Sequence, residues 1–384
     1  MKINQFLGKF PLSFLFACSV MLCFAQCNRT PEETFKLKGG LRVLVGLDES
    51  SPKSTDESVE MRNQVMTVLQ NRIEYYGITP HIKWLDDKDC ILLEIPGVKD
   101  KDRVLGLLQH NGNLEFWETY ELANIFDSLV NADERLAQLL TPEKNEDTNK
   151  PKKISLTDKD QNSEQPKDDM EALLESIESN DSGDIIVFKE DYEENHPLFS
   201  KLQISMYQGS SLIPGPVIGY ANTDDKEQIT QYLNMKELKS VLPSACIFKW
   251  SVKPIDEDGT FYELYALKEI RRQGAVLDGS VITEAKVDSD NQNGYSISLQ
   301  MNDEGARMWA RVTRENIGNS IAMVVDDKVY SAPRVMSEIE GGRSMISGNF
   351  TKEEAKDLAN MLNAGRMPVP LKIIHSEIVS PDSE

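Results

Sequence analysis

Along residues 41–120 the spacing of apolar positions changes in an orderly way. Residues 41–47, entered through Gly39-Gly40, form a short continuous apolar run of strand length. Residues 59–76 then carry Met61, Val65, Val68, Leu69, Ile73 and Tyr76 at helical spacing, with Gly77 placed to end the helix in a left-handed cap. Two β-type runs, 81–85 and 90–95, are joined by Asp86-Asp87-Lys88-Asp89, residue types that suit a tight turn, and read as a hairpin. After Pro96-Gly97, Asp100 is placed to cap a helix to about His110 that carries Val104, Leu107 and Leu108 on one face, and residues 114–120 resume as a strand.

The predicted order, β-α-β-β-α-β, is that of an α+β, ferredoxin-like split-βαβ unit, with two helices on one face of an antiparallel sheet. Fold alone fixes no function, because this arrangement hosts many. From about residue 140 to 184 apolar periodicity is lost. Lys, Asp, Glu, Asn, Ser and Pro dominate, and the segment reads as a disordered insert in which 170–177 allow a turn or two of helix.

Pattern returns at 185–189, and Pro214-Gly215-Pro216 interrupts the stretch 197–218. A helix from Thr223 or Asp224 to about Leu233 is expected, then strands 246–252 and 261–267 flanking an Asp256-Glu257-Asp258-Gly259 turn. Tyr295, Ile297, Leu299 and Met301 alternate with Ser296, Ser298 and Gln300, so this strand has one buried and one wet face. Asn302 is placed to cap a helix to about Ile317, and 321–325 with 329–332 make a hairpin around Asp326-Asp327-Lys328. A strand at 345–350, a capping box at Thr351-Lys352-Glu353-Glu354, a helix to Asn363 and a strand at 371–379 follow, placed to rejoin the first sheet.

Composition narrows the classes. Hydrophobic residues at 40% and charged residues at 27% are ordinary for a folded protein. Lys+Arg 42 against Asp+Glu 63 leaves a net charge of −21, which repels phosphate backbones, so nucleic acid is not an expected partner. Lys2 and Lys9 precede an apolar run, 10–25, and then polar residues, the order of an export signal. As a helix the run would rise ~24 Å, short of the ~30 Å hydrocarbon core, which favours cleavage over a spanning anchor.

The run ends in Phe24-Ala25-Gln26-Cys27, similar to a bacterial lipoprotein box, although Phe24 and Gln26 depart from its usual residues. Two readings stand: lipid attachment at Cys27, or an incidental cysteine beside a membrane helix. Either places the protein on the periplasmic side of a bacterial envelope, held to a membrane by its N-terminus. Cys18 and Cys23 would leave with a cleaved signal. Cys90 and Cys246 then read as buried free thiols rather than a disulfide framework.

No catalytic constellation is visible, and no enzyme activity, cofactor or metal is expected. His81, His110, His196 and His375 are scattered singly, and the aspartates at 86–89 and 326–327 lie at strand turns without a calcium-loop pattern. The glycines form neither a phosphate loop nor a nucleophile elbow. Trp117, Trp250 and Trp309 stand at strand and helix spacing and are expected in the core, leaving polypeptide-binding residues unassigned.

Longer motifs carry a resemblance. Ile95-Pro96-Gly97-Val98-Lys99-Asp100, Arg103-Val104 and Asn113-Leu114-Glu115-Phe116-Trp117-Glu118-Thr119-Tyr120, with Asn71-Arg72-Ile73 and Gly77-Ile78, resemble the first periplasmic base of the SecD/SecDF family. Leu277-Asp278-Gly279, Met301-Asn302-Asp303-Glu304-Gly305-Ala306, Thr313-Arg314-Glu315-Asn316-Ile317-Gly318 and the segment from Ile321 to Pro333 resemble its head subdomain. Gly341-Gly342 and Ile346-Ser347-Gly348-Asn349-Phe350-Thr351 extend that likeness. Residue pattern and resemblance together divide the chain into a signal or anchor over 1–27, a base over 36–120, a linker with the acidic insert over 121–184, a head over 185–342 and a segment returning to the base over 343–376.

In that family the head is inserted in the base and swings relative to it, implying a hinge at Glu121, Asn124, Glu338, Gly341 and Gly342. The resemblance further implies binding of unfolded exported polypeptide and of Sec translocon components. The chain stops at Glu384, where the family would enter its later membrane helices, so no proton-coupled membrane domain of its own is expected. The competing reading is a stand-alone envelope lipoprotein that reuses the fold as a structural or ligand-binding module.

Overall fold

The computed structural model describes residues 30–47, 55–86, 88–98, 100–140, 195–207, 211–269, 274–290 and 294–382, with backbone only at 55–58 and 290. The expected signal with Cys27 and the acidic stretch 143–184 lie outside them. The first elements are α1 (Pro31–Lys38), β1 (Gly40–Leu47), α2 (Thr55–Glu74), β2 (His81–Leu85), β3 (Cys90–Pro96), α3 (Lys101–Gln109), β4 (Leu114–Thr119) and α4 (Leu122–Leu140). Then come β5 (Gln203–Ile204), β6 (Val217–Asn222), α5 (Lys226–Asn234), α6 (Lys236–Lys239), β7 (Cys246–Trp250), β8 (Phe261–Lys268), β9 (Leu277–Asp278) and β10 (Ile282–Asp290). Last are β11 (Gly294–Met301), α7 (Asp303–Glu315), β12 (Ile321–Val325), β13 (Lys328–Ser331), β14 (Arg343–Phe350), α8 (Lys352–Ala364) and β15 (Leu371–Val379).

This α+β chain divides into two compact units. Unit 1 comprises Met1–Asn113, Ala285–Val287 and Lys352–Glu384; unit 2 comprises Leu114–Glu284 and Asp288–Thr351.

Unit 1 is a four-stranded antiparallel sheet in the order β15-β1-β3-β2. Leu41, Val43 and Val45 of β1 and Ile91, Leu93 and Ile95 of β3 point to one face, where Val65, Leu69 and Ile73 of α2 cover them. Arg103 holds Asp357 of α8 with two hydrogen bonds, 3.0 and 2.7 Å, and the Tyr76 hydroxyl donates to the same carboxylate. Burial, and then that hydrogen bond, push the Tyr76 phenol well above its ordinary pKa. The opening helix α1 went unforeseen. Thr30 and Glu33 cap it reciprocally, and Pro31 stands in its first turn.

The sheet corrects one expectation. Residues 114–120 do form a strand, but β4 pairs with β8, β9 and β12 in unit 2, and the fourth place in the unit 1 sheet goes to β15. Burial explains the exchange. Leu114, Phe116 and Trp117 are all buried, so β4 is covered on both faces as a central strand must be, whereas β15 is largely exposed and suits an edge.

In unit 2 five strands close on themselves. β7 pairs with β8, β8 with β4, β4 with β12 and β12 with β13, all antiparallel. β13 then returns to the chain just after β7 through a parallel bridge between Ser251 and Val329 and the Val252 N–H donated to the Val329 carbonyl at 2.9 Å. Trp117, Leu267, Ala322, Val324 and Val329 form one buried cluster with Tyr265. At the β12–β13 hairpin Asp326 and Asp327 take φ of 47° and 66°, the left-handed pair that a two-residue turn of the right twist requires.

Two further expectations change here. Residues 121–140, read as the start of a linker, are helix α4, whose Leu122, Ile125, Leu129, Ala132 and Leu136 are fully buried against Leu198, Ile218, Ile229 and Leu264. The segment returning to unit 1 begins at Lys352 rather than 343, because β14 pairs with β11 in unit 2.

Candidate functional site

The motif Asn302-Asp303-Glu304-Gly305-Ala306 builds the start of α7. Asn302 accepts the Gly305 N–H at 2.8 Å, and Asp303 and Glu304 lie in the positive first turn. Gly305 permits a close approach: a Cβ there would fall 2.6 Å from the Val281 Cβ. We therefore expect Gly305→Ala to destabilise the protein by about 2 kcal/mol, overpacking exceeding the ~1 kcal/mol gain in helix propensity. Urea unfolding checks this, and because the closest approach is to the Val281 Cβ, Val281→Ala should not restore the loss; a stabilised Gly305→Ala protein would refute the reading.

The buried face of α7 carries Trp309, Val312 and Thr313, with Trp309 packed on Phe116 at 5.0 Å between ring centres. Its outer face carries Arg307, Arg311 and Arg314. Opposite it, the segment 338–342 is tied down at several points. The Ile339 N–H donates to Thr313 Oγ1 at 2.9 Å, the Gln300 amide donates to the Gly341 carbonyl at 3.0 Å, and Arg314 reaches Glu338 at 3.4 Å. Gly341 and Gly342 have φ of 80° and 66°, and a Cβ on Gly342 would meet the Ala306 Cβ at 2.8 Å.

The result is an open groove of about 350 Å³ lined by Ala306, Arg307, Ala310, Arg311, Arg314, Glu338, Glu340 and Gly341. Gly318 donates to the Val335 carbonyl and Val335 to the Asn319 carbonyl, both at 2.8 Å. Ile317 and Met336 flank this ladder, 52% and 80% exposed. A guanidinium row, a small-residue floor and exposed apolar side chains suit an extended polypeptide better than a compact ligand.

Of the residues expected at a hinge, Glu338 and Gly341 line this groove and Gly342 packs on Ala306 beside it. Glu121 and Asn124 do not; they open α4, where the Asn124 N–H donates to the Glu121 carbonyl at 2.9 Å. All five lie within unit 2. The groove's arginines went unassigned in the sequence, although their i, i+4, i+7 spacing on a helix was legible.

The histidines are dispersed. The His81 ring lies 2.9 Å from Glu94, His196 lies 2.7 Å from Asp133, and His375 lies 3.8 Å from Glu377. Cys90 and Cys246 are not in a disulfide, and burial pushes the Cys246 thiol up to about 12, far from a reactive thiolate. Trp117 and Trp309 are core residues, while Trp250 is half-buried and donates to Thr230 at 2.9 Å. Among the described residues no helix is long and apolar enough to cross a membrane.

Two family models match the chain. Residues 260–369 match the SecDF P1 head subdomain, and residues 62–121 match the N-terminal part of the P1 domain of protein translocase subunit SecDF. The chain is a SecD/SecDF relative that carries this family's P1 domain.

Protein translocase subunit SecD of Rhodothermus marinus is 30% identical over 325 residues, covering 85% of this chain and 47% of that protein. SecD of Endomicrobium trichonymphae is 25% identical over 358 residues, covering 92% of this chain and 54% of that protein. The chain thus spans about half the length of these relatives. A solved structure of SecDF, described as a membrane component that enhances protein export, is 21% identical with a TM-score of 0.43, covering 87% of this chain and 98% of that one.

Proposed function

We propose that the protein assists protein export from the periplasmic side of a bacterial envelope by binding translocating polypeptide beside the Sec machinery, without catalysis of its own. The observation that carries the reading is that the P1-matching region 260–369 contains the α7 groove, with its guanidinium row and exposed Ile317 and Met336. The unit 1 strand order, fourth-first-third-second with β15 as the fourth strand, supports reading that unit as a ferredoxin-like base. Membrane attachment through a lipid on Cys27 or through an N-terminal helix belongs to the same proposal.

A photo-crosslinking residue placed at the exposed Met336 tests the reading in intact cells. Adducts with exported chains in transit or with Sec subunits are the expected result. Adducts with resident envelope proteins alone would instead favour a stand-alone envelope module.

A further inference from the structure

The two walls of the α7 groove differ in charge. Arg307, Arg311 and Arg314 line the helical wall, and Glu338 and Glu340 the opposite one. Arg314 is engaged by Glu338 at 3.4 Å. Arg307 and Arg311 are exposed and have no ionic or hydrogen-bonding partner among the described residues. Their guanidinium groups are therefore available to a ligand. Across a chain of net charge −21, general attraction does not draw acidic ligands, so an acidic ligand that binds must use a local site such as this one.

Spacing then decides which acidic ligand fits. Four residues along a helix rise about 6 Å, and residues i and i+2 of an extended chain, on one side of its backbone, are about 6.6 Å apart. Side chains on one side of an extended segment laid along α7 therefore meet Arg307 and Arg311 in register. Side chains from the alternate positions face Glu340, where a second acid would be repelled.

We propose that the groove recognises extended, unfolded polypeptide in which acidic residues recur at every second position with uncharged or basic residues between them, a refinement that rests on the polypeptide-binding function above. The carboxylates form charge-assisted hydrogen bonds with Arg307 and Arg311. Beyond the Arg314–Glu338 pair, Ile317 and Met336 offer contact to an apolar residue of the same segment.

The test uses the full chain and two labelled peptides of identical composition. One has glutamate at alternate positions among serine, threonine and valine; the other has the same glutamates in one block. Fluorescence anisotropy should show the alternating peptide binding at least about tenfold tighter, with added salt weakening it. The double reversal Arg307→Glu/Arg311→Glu should abolish the difference, as should the milder Arg307→Ala/Arg311→Ala.

Equal binding of the two peptides, or a preference that survives both double variants, overturns the proposal. A permanently unfolded apolar protein, run as a third probe, separates the two levels. If it binds while the peptides show no preference, polypeptide binding stands and the refinement falls; if no probe binds, both fall. An intramolecular crosslink from position 336 to residues 141–194 in the purified chain would also overturn the assignment, in favour of the chain's own acidic stretch.

Discussion

Replacing Arg72 by methionine is expected to cost unit 1 about 3–5 kcal/mol, the range for removing one partner from a buried charged network. Arg72 is 1% exposed. Its guanidinium donates to the Leu107 carbonyl at 2.9 Å, to the His110 carbonyl and to the Asn111 carbonyl at 3.1 Å. They lie at and just past the end of α3, where helix carbonyls lack intrahelical donors and a cation is also favoured by the helix dipole. Methionine fills much of the same space but removes the guanidinium donor from all three, while the Asn111 carbonyl keeps the Met367 N–H at 2.7 Å. Hydrogen-exchange mass spectrometry should show the loss across residues 61–113, with Arg72→Lys intermediate, since one ammonium cannot reproduce a planar fork. Unchanged protection in Arg72→Met would mean that the carbonyls find water or new partners and that Arg72 is not what fixes α3.

The second large effect is expected in unit 2. Asp133 is 1% exposed on α4 and accepts the Leu198 N–H at 2.8 Å, the Phe199 N–H at 3.3 Å and a His196 ring contact at 2.7 Å. It thereby ties residues 196–199 to α4. Asp133→Ala leaves buried backbone donors unsatisfied and should cost about 2–4 kcal/mol. Asp133→Asn retains an acceptor and should cost less. His196→Ala should be milder still, because the histidine side chain is 38% exposed. Equal losses from Asp133→Ala and His196→Ala in chemical denaturation would show that the histidine contact, not the backbone donors, is what matters.

Local pattern located most elements, and its failures have physical causes. The alternation at 295–301, the Asn302 cap and the Asp326-Asp327 turn are decided by neighbours a few residues away, and each stands where the sequence indicates. Strand β4 was legible as a strand, but its partners were not. Met323 lies opposite Phe116 across some two hundred residues of chain, and no periodicity encodes such a pairing. Helix α4 was readable in principle. Its Leu122, Ile125, Leu129, Ala132 and Leu136 recur by threes and fours, but the acidic stretch that follows led the whole of 121–184 to be read as linker. The capping box Thr30/Glu33 was obscured in the same way by the apolar run and polar residues beside it, which read as an expected export signal.

The site was less legible than the fold. Asn302, Gly305, Gly341 and Gly342 were visible as motif residues, yet what they build is set by the approach of 338–342 to α7, which only tertiary structure supplies. Arginines at i, i+4 and i+7 on an exposed helix face look like ordinary solubilising charge until the opposing wall is known.

The pairing of β1 with β15 has a temporal side. Gly40 lies opposite Val379, so the first strand of unit 1 must wait for nearly the whole chain before its edge is covered. A contact of that sequence separation carries a high loop-closure entropy and forms slowly. A chain delivered N-terminus first would have unit 2 complete, from Leu114 to Thr351, while β1 still lacked its neighbour. During synthesis β1 is thus an open template, competent to be paired by another strand before its own arrives.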